Sequence, residues 1–188
     1  KINILGNEKV SSKKIINQFS NTKTYIFPLF WRGKYNQNDF ENDLMMLDLF
    51  YKNKGYKDFH IKNKEVQFKD SEIIIDIEVY EGEKFYYSSF VFEGNKMFSD
   101  DELMKELNIY EGDVYNAEQL DFAIYEKITS LYMNQGYYFF NINKELKPNG
   151  DQLDVKFVIN ENDKVSIRKI LIAGNTKTNG NVIRREIK

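Results

Sequence analysis

Few side chains in this sequence are of a type and spacing suited to chemistry, and each has a plainer structural reading. His60 is the only histidine and there is no cysteine. A Ser/His/Asp triad would therefore have to be built on His60, and neither a histidine-rich nor a thiolate metal site is possible. His60 lies in a run that reads as a strand, with no motif around it. Asp76, Glu78, Glu81 and Glu83 are the residue types of an acid/base pair or a hard-cation site. Asp76 and Glu78, however, alternate with Ile75, Ile77 and Val79, as a half-solvated strand does. Ser99-Asp100-Asp101-Glu102 resembles a cation cluster until its place before Leu103, Met104 and Leu107 is noticed. At a helix start, acids complement the dipole and a Ser/Glu pair caps the backbone. The Gly-Asn pairs at 6–7, 94–95 and 174–175 lack the further glycines and the lysine of a phosphate loop, which leaves turn geometry. No catalytic residue, metal ligand or cofactor site is assigned.

Composition narrows the function classes further. Lys and Arg total 27 against 29 Asp and Glu, a net charge of −2, so there is no electrostatic case for tracking nucleic acid phosphates. A 41% hydrophobic fraction with 15% aromatics and 30% charged residues supports a folded chain. The lack of cysteine is compatible with an oxidising or a reducing compartment. No apolar run reaches the roughly 18 residues of a membrane helix, and the first residues lack the apolar core of a signal peptide. Both ends read as cut, since Lys1 to Ile4 looks like a strand already under way and Val182 to Ile187 like a helix just starting.

What organises the chain is repetition. INILGNEKVSSKKI at 2–15, FVFEGNKMFSDDEL at 90–103 and ILIAGNTKTNGNVI at 170–183 are each an apolar run, a Gly-Asn pair and a polar entry into a second apolar run. A period near 80 residues in a chain of 188 divides it into small units: 1–83, 84–164 and the start of a third at 165–188. In the second unit Phe85 to Phe92 reads as a strand, and Ser99 with Glu102 as a capping box on a short helix. Asn116 caps a longer helix, with Leu120, Ile124, Ile128, Leu131 and Tyr132 as its apolar stripe and Gly136 as its stop. Tyr137 to Ile142 and Leu153 to Ile159 follow as an antiparallel hairpin turning through Lys147 to Gly150. The first unit repeats the order, with Phe40, Leu44, Leu47 and Tyr51 as the stripe, Gly55 as the stop and a hairpin of Tyr56 to Phe68 and Ile73 to Tyr80. YKNKGYKDFHI at 51–61 and YMNQGYYFFNI at 132–142 superpose without a gap. Two helices reverse the chain twice, so the third strand runs parallel to the first and antiparallel to the second. The expected fold class is α+β: tandem β-α-α-β-β modules, each a three-stranded mixed sheet covered on one face by two helices.

With that order, the Gly-Asn after the first strand, the Gly-Tyr after the second helix and Glu81-Gly82 after the third strand, the chain resembles POTRA domains of BamA-type outer-membrane barrel-assembly proteins. The resemblance covers nearly the whole chain. GNTKTNGNVIRREI looks like the opening of a membrane-proximal module, and LFWRGKYNQNDF like the expanded helix connection of a middle one. The resemblance implies location in the periplasm, tethering to the outer membrane through a carboxy-terminal barrel, guidance of unfolded outer-membrane proteins and docking of accessory lipoproteins, without catalysis. Two alternatives remain. The same modules serve two-partner secretion or autotransporter-assembly pores, which a downstream barrel sequence or the module count would separate. An enzyme or ligand-binding protein would instead show a deep pocket with converging polar groups between modules.

The expected binding feature is an unpaired strand edge, which hydrogen-bonds an extended peptide with little regard to its sequence. With the third strand central, the second strand offers that edge through Asp58, Phe59, His60 and Ile61 in the first module and Phe139, Phe140, Asn141 and Ile142 in the second. The competing reading has half of these in the core and the rest inert. Gly6 to Gly33 spans 27 positions where Gly94 to Gly112 spans 18. The extra residues fall in an aromatic stretch in which Phe27, Phe30, Trp31, Arg32 and Tyr35 suit either a partner or membrane-surface contact or a lid over the module's own helices. The connections Glu81-Gly82-Glu83-Lys84 and Asn160 to Lys164 are short and charged, so a semi-rigid, extended arrangement is expected.

Overall fold

The computed structural model describes residues 1–22, 35–69, 72–166, 168–169, 171–174 and 182. The first module runs β1 (Ile2–Leu5), α1 (Ser12–Ile16), α2 (Gln37–Lys52), β2 (His60–Lys69) and β3 (Glu72–Tyr80). The second runs β4 (Tyr86–Glu93), α3 (Asp100–Leu107), α4 (Ala117–Phe122), a π-helical segment (Ala123–Ile128), α5 (Thr129–Asn134), β5 (Asn141–Asn149) and β6 (Gln152–Asn160). Each sheet has its third strand in the centre, parallel to the first and antiparallel to the second, in the orders β1-β3-β2 and β4-β6-β5.

Strand alternation sets the core. Ile75, Ile77 and Val79 of β3 are buried with Phe40, Leu44, Leu47 and Tyr51 of α2, while Leu153, Val155, Phe157 and Ile159 of β6 are buried with Leu120, Ile124, Ile128 and Tyr132. Asp76 and Glu78 face the other way, Asp76 accepting from Asn3 Nδ2 at 2.7 Å and Glu78 lying 3.8 Å from Lys62. The helix starts follow local chemistry. Ser99 and Glu102 form the reciprocal capping box, and the Asn116 side chain accepts from the Gln119 N–H.

The Gly-Asn turns are sterically dictated. At Gly6 and Gly94 φ is +81° and +92°, and a Cβ would stand 2.3 Å from the Val79 carbonyl oxygen and 2.1 Å from that of Ile159. Any side chain would thus collide with the backbone at the end of the central strand. The asparagine then closes the turn, Asn7 Nδ2 donating to the Val10 carbonyl at 2.8 Å and Asn95 Nδ2 to that of Phe98 at 3.0 Å.

The second strands begin later than their composition suggests. Asp58 and Phe59 precede β2, and Phe139 and Phe140 precede β5. Phe59 N–H donates to the Tyr56 carbonyl at 3.2 Å and Phe140 N–H to that of Tyr137 at 3.2 Å, so both stretches are turns. The reason is packing: Phe59 stacks on Tyr51 with centroids 4.0 Å apart, and Phe140 on Tyr132 at the same distance. Strand-favouring aromatics are used here to close the helix end against the sheet. The hairpin also turns one step later, since Pro148 lies within β5, an edge strand where proline is tolerated, and the reversal falls at Gly150-Asp151.

Fifteen positions separate the cap Asn36 from Tyr51, and sixteen separate Asn116 from Tyr132. The second module therefore places one more residue between the same two anchors, and the π segment absorbs it, with Thr129 Oγ1 donating to the Ile124 carbonyl five residues back at 2.9 Å.

Candidate functional site

Among the described residues the outer edge of β2 carries no partner strand, and neither does that of β5. The other flank of the second sheet is different. Segment 112–115 lies along the start of β4, Tyr87 N–H donating to the Asp113 carbonyl at 2.9 Å, Gly112 N–H to that of Tyr87 at 2.7 Å and Tyr115 N–H to that of Phe85 at 2.9 Å. Part of that edge is already taken by the chain itself.

Beside the β2 edge runs an open groove of about 680 Å³ between strand and helix. Leu44, Met45 and Ile61 supply its apolar surface, Glu41 and Asp48 rim it on α2, and Lys62, Asn63 and Lys64 on β2. Met45 is 62% exposed, and its flexible thioether conforms to varied neighbours. Strand β2 is bulged at Lys62, after which Asn63 to Lys69 continue in regular register with β3. The arrangement offers backbone N–H and C=O groups beside a shallow apolar trough, a geometry that suits an extended peptide.

Of the residues expected at the edge, His60 and Ile61 lie on β2 and Asn141 and Ile142 on β5. His60 is exposed, its Nδ1–H donating to the Asp58 carbonyl at 3.0 Å and its ring 5.0 Å from that of Tyr80. Ile61 lines the groove, whereas Ile142 is buried. Asp58 is exposed and Phe59 belongs to the core; Phe139 is 69% exposed and Phe140 is half-buried against Tyr132. Phe27, Phe30, Trp31 and Arg32 lie outside the described residues. Tyr35 packs inward, 5.9 Å from the Phe40 ring and 6.0 Å from Phe68.

Sequence reasoning missed the carboxylates that hold each module together. Glu81, 5% exposed, accepts from the N–H groups of Lys9 (2.6 Å), Glu8 (2.8 Å) and Val10 (3.0 Å) and from the Tyr51 hydroxyl (2.7 Å). Burial pushes this carboxyl up, but those four donors outweigh it and hold it below its ordinary value. Burial and the Glu81 charge push the Tyr51 phenol upward. The second module repeats the node: Glu161 accepts from Lys96 N–H at 2.7 Å, Met97 N–H at 2.8 Å and the Tyr132 hydroxyl at 3.1 Å. Its pKa is lowered as well, desolvation again being outweighed by these hydrogen bonds. The available signal was the repeat, because each glutamate directly follows the third strand and each tyrosine ends the second helix. Asp43 was missed too; wholly buried, it accepts from Thr22 N–H at 2.6 Å and Ser20 N–H at 3.1 Å, tying that segment to α2.

The two modules meet at a joint just past the end of α2. Phe85 N–H donates to the Gly55 carbonyl at 2.9 Å, and Asn53, at the end of α2, accepts from Glu118 N–H at 2.9 Å while donating to the Glu118 carboxylate at 2.7 Å. Lys9 Nζ reaches the linker, donating to the Gly82 carbonyl at 2.8 Å and Glu83 at 2.9 Å.

The POTRA family model, described as surface antigen variable number repeat, matches residues 1–82 and again 85–162, so the chain belongs to the POTRA family. Among curated relatives it is 31% identical over 188 residues to the outer membrane protein assembly factor BamA of Neisseria meningitidis serogroup B, covering 97% of this chain and 24% of the relative. It is 30% identical over 197 residues to BamA of Buchnera aphidicola, covering 100% and 31% respectively. The chain thus spans about a quarter to a third of these relatives. Among solved structures, POTRA3-5 of Haemophilus influenzae BamA superposes with a TM-score of 0.71 at 23% identity, covering 98% of this chain and 74% of that one. BamA of Haemophilus ducreyi lacking POTRA domains 1-3 gives 0.65 at 17% identity, covering 85% and 28%. The chain's modules are POTRA domains of the BamA type. Among the described residues no helix is long and apolar enough to cross a membrane.

Proposed function

We propose that this chain is part of the periplasmic arm of an outer-membrane protein assembly factor, and that it receives unfolded outer-membrane proteins as extended strands added to the free edge of β2, with the β5 edge as a second station. The observation that carries this reading is the β2 edge, unpaired among the described residues, beside a trough of Leu44, Met45 and Ile61. Membrane-barrel strands alternate apolar and polar residues, so one side of a visiting strand suits the trough while the other suits water. Kinship with assembly factors supports the same role. In this reading accessory lipoproteins dock on the same arm, a carboxy-terminal barrel tethers it to the outer membrane, and residues 165–188 open a third module. Gly174, at φ +80°, and the Val165 N–H bond to the Gly136 carbonyl at 2.8 Å repeat features of the earlier modules and support that last point.

The test is site-specific photocrosslinking in cells, with the reactive residue at Ile61, Ile142 or Trp31 of the full-length protein. Ile61 is expected to trap nascent barrel proteins. An Ile61 probe that yields no adduct, in a protein that still supports assembly, overturns the edge reading.

A further inference from the structure

The groove beside β2 is bridged. Lys64, on the edge strand, forms an ion pair with Glu41 on α2, and both residues line the groove. The second module has the same bridge, Lys144 of β5 to Asp121 of α4. Its placement is equivalent despite irregularities on both elements. Glu41 and Asp121 each stand five positions after their cap asparagines, Asn36 and Asn116, and Lys64 and Lys144 pair across the sheet with Ile77 and Phe157. The extra helix residue of the second module falls after Asp121, in the π segment. The extra strand residue of the first module falls before Lys64, at the Lys62 bulge. Both insertions leave the pair in place.

We propose that Lys64–Glu41 is a latch across the receiving groove that an incoming strand must open, and that Lys144–Asp121 is its counterpart on the second module. This rests on the reading of β2 as a receiving edge. A strand pairing with β2 directs alternate side chains into the space between β2 and α2. The one arriving beside Lys64 meets the bridge, so entry requires the lysine to release Glu41 and swing to solvent. A half-exposed pair of this kind holds by no more than about 1 kcal/mol. The latch therefore tunes entry without forbidding it, and salt weakens it.

The experiment measures binding of a fluorescent synthetic strand of about ten residues alternating Val and Thr, the length and period of a barrel strand, to the 188-residue chain by anisotropy at low and at physiological ionic strength. Wild-type affinity is expected to rise with salt. Glu41→Gln and Lys64→Gln are each expected to bind about two- to fivefold tighter at low salt and to lose the salt dependence. The charge-swapped double variant, Glu41→Lys with Lys64→Glu, returns to wild-type behaviour. Melting curves of each variant separate a latch from a mere fastener, which would lower stability and affinity together. If both single variants bind no tighter than wild type and keep its salt slope, the latch is overturned while the edge reading stands. If no form of the chain binds the strand, both are overturned.

Discussion

A carboxylate that accepts three backbone N–H groups and a phenol cannot be removed without stranding donors where water does not reach. Glu81 is such a group, and Glu81→Gln is expected to lower unfolding free energy by about 2 kcal/mol in urea titrations. Tyr51→Phe, which keeps the ring stacked on Phe59, is expected to lower it by about 1 kcal/mol. The sign with pH follows from the lowered carboxyl. Its contribution is complete above the ordinary value of 4.5 and is lost as pH falls through the folded value, so stability declines on acidification below about pH 4.5. In Glu81→Gln that acid limb is expected to be shallower, which the same titrations repeated across pH will check. At Gly94 a methyl group meets the Ile159 carbonyl oxygen, and Gly94→Ala is expected to lower stability by about 2 kcal/mol or more. The Gly-Asn turns were legible because glycine there has a steric reason. Glu81 and Glu161 were not, since a glutamate after a strand looks locally like any solvated turn residue. Only matching the modules, tyrosine to tyrosine and glutamate to glutamate, exposes them.

At the level of elements, sheet order, strand direction and helix caps could be read from the chain because each follows from a local pattern. The strand starts at His60 and Asn141 could not, because Phe59 and Phe140 favour strands by propensity but are recruited to stack on tyrosines. The π segment left a trace that went unread. The large apolar side chains buried in α2 are Phe40, Leu44, Leu47 and Tyr51, at steps of four, three and four, whereas those of the second module are Leu120, Ile124, Ile128 and Tyr132, at steps of four throughout. In a regular helix each four-residue step drifts about 40° around the axis, so the stripe stays in line only if the helix widens. Deleting Glu126, an exposed residue within the segment, is expected to convert it to a regular α-helix with stability within about 1 kcal/mol of wild type. Deleting Asn42 from α2 is expected to rotate the latter half of that stripe out of the core and abolish cooperative unfolding. Thermal melts followed by circular dichroism distinguish the two.

At the level of the whole molecule, short charged linkers pointed to limited bending, but the joint's central contact was invisible in sequence. Asn53 ends one helix and caps another in the neighbouring module, 65 residues on. The carbonyl end of α2 meets the N–H end of α4, an attractive alignment of helix dipoles. Asn53→Ala is expected to leave the melting of each module within about 1 kcal/mol of wild type. The distribution of distances between spin labels on the two modules is expected to broaden, and an unchanged distribution would remove Asn53 from the joint.

The loop lying along β4 bears on how copies of the chain can meet. Continuous head-to-tail growth, one molecule's β5 joining the next one's β4, needs both flanks of the second sheet open, and here the start of one is obstructed from within. Two molecules can still pair β5 to β5, but that contact is self-complementary and terminates. Chain growth through the second sheet, edge to edge, is thereby hindered at its β4 flank.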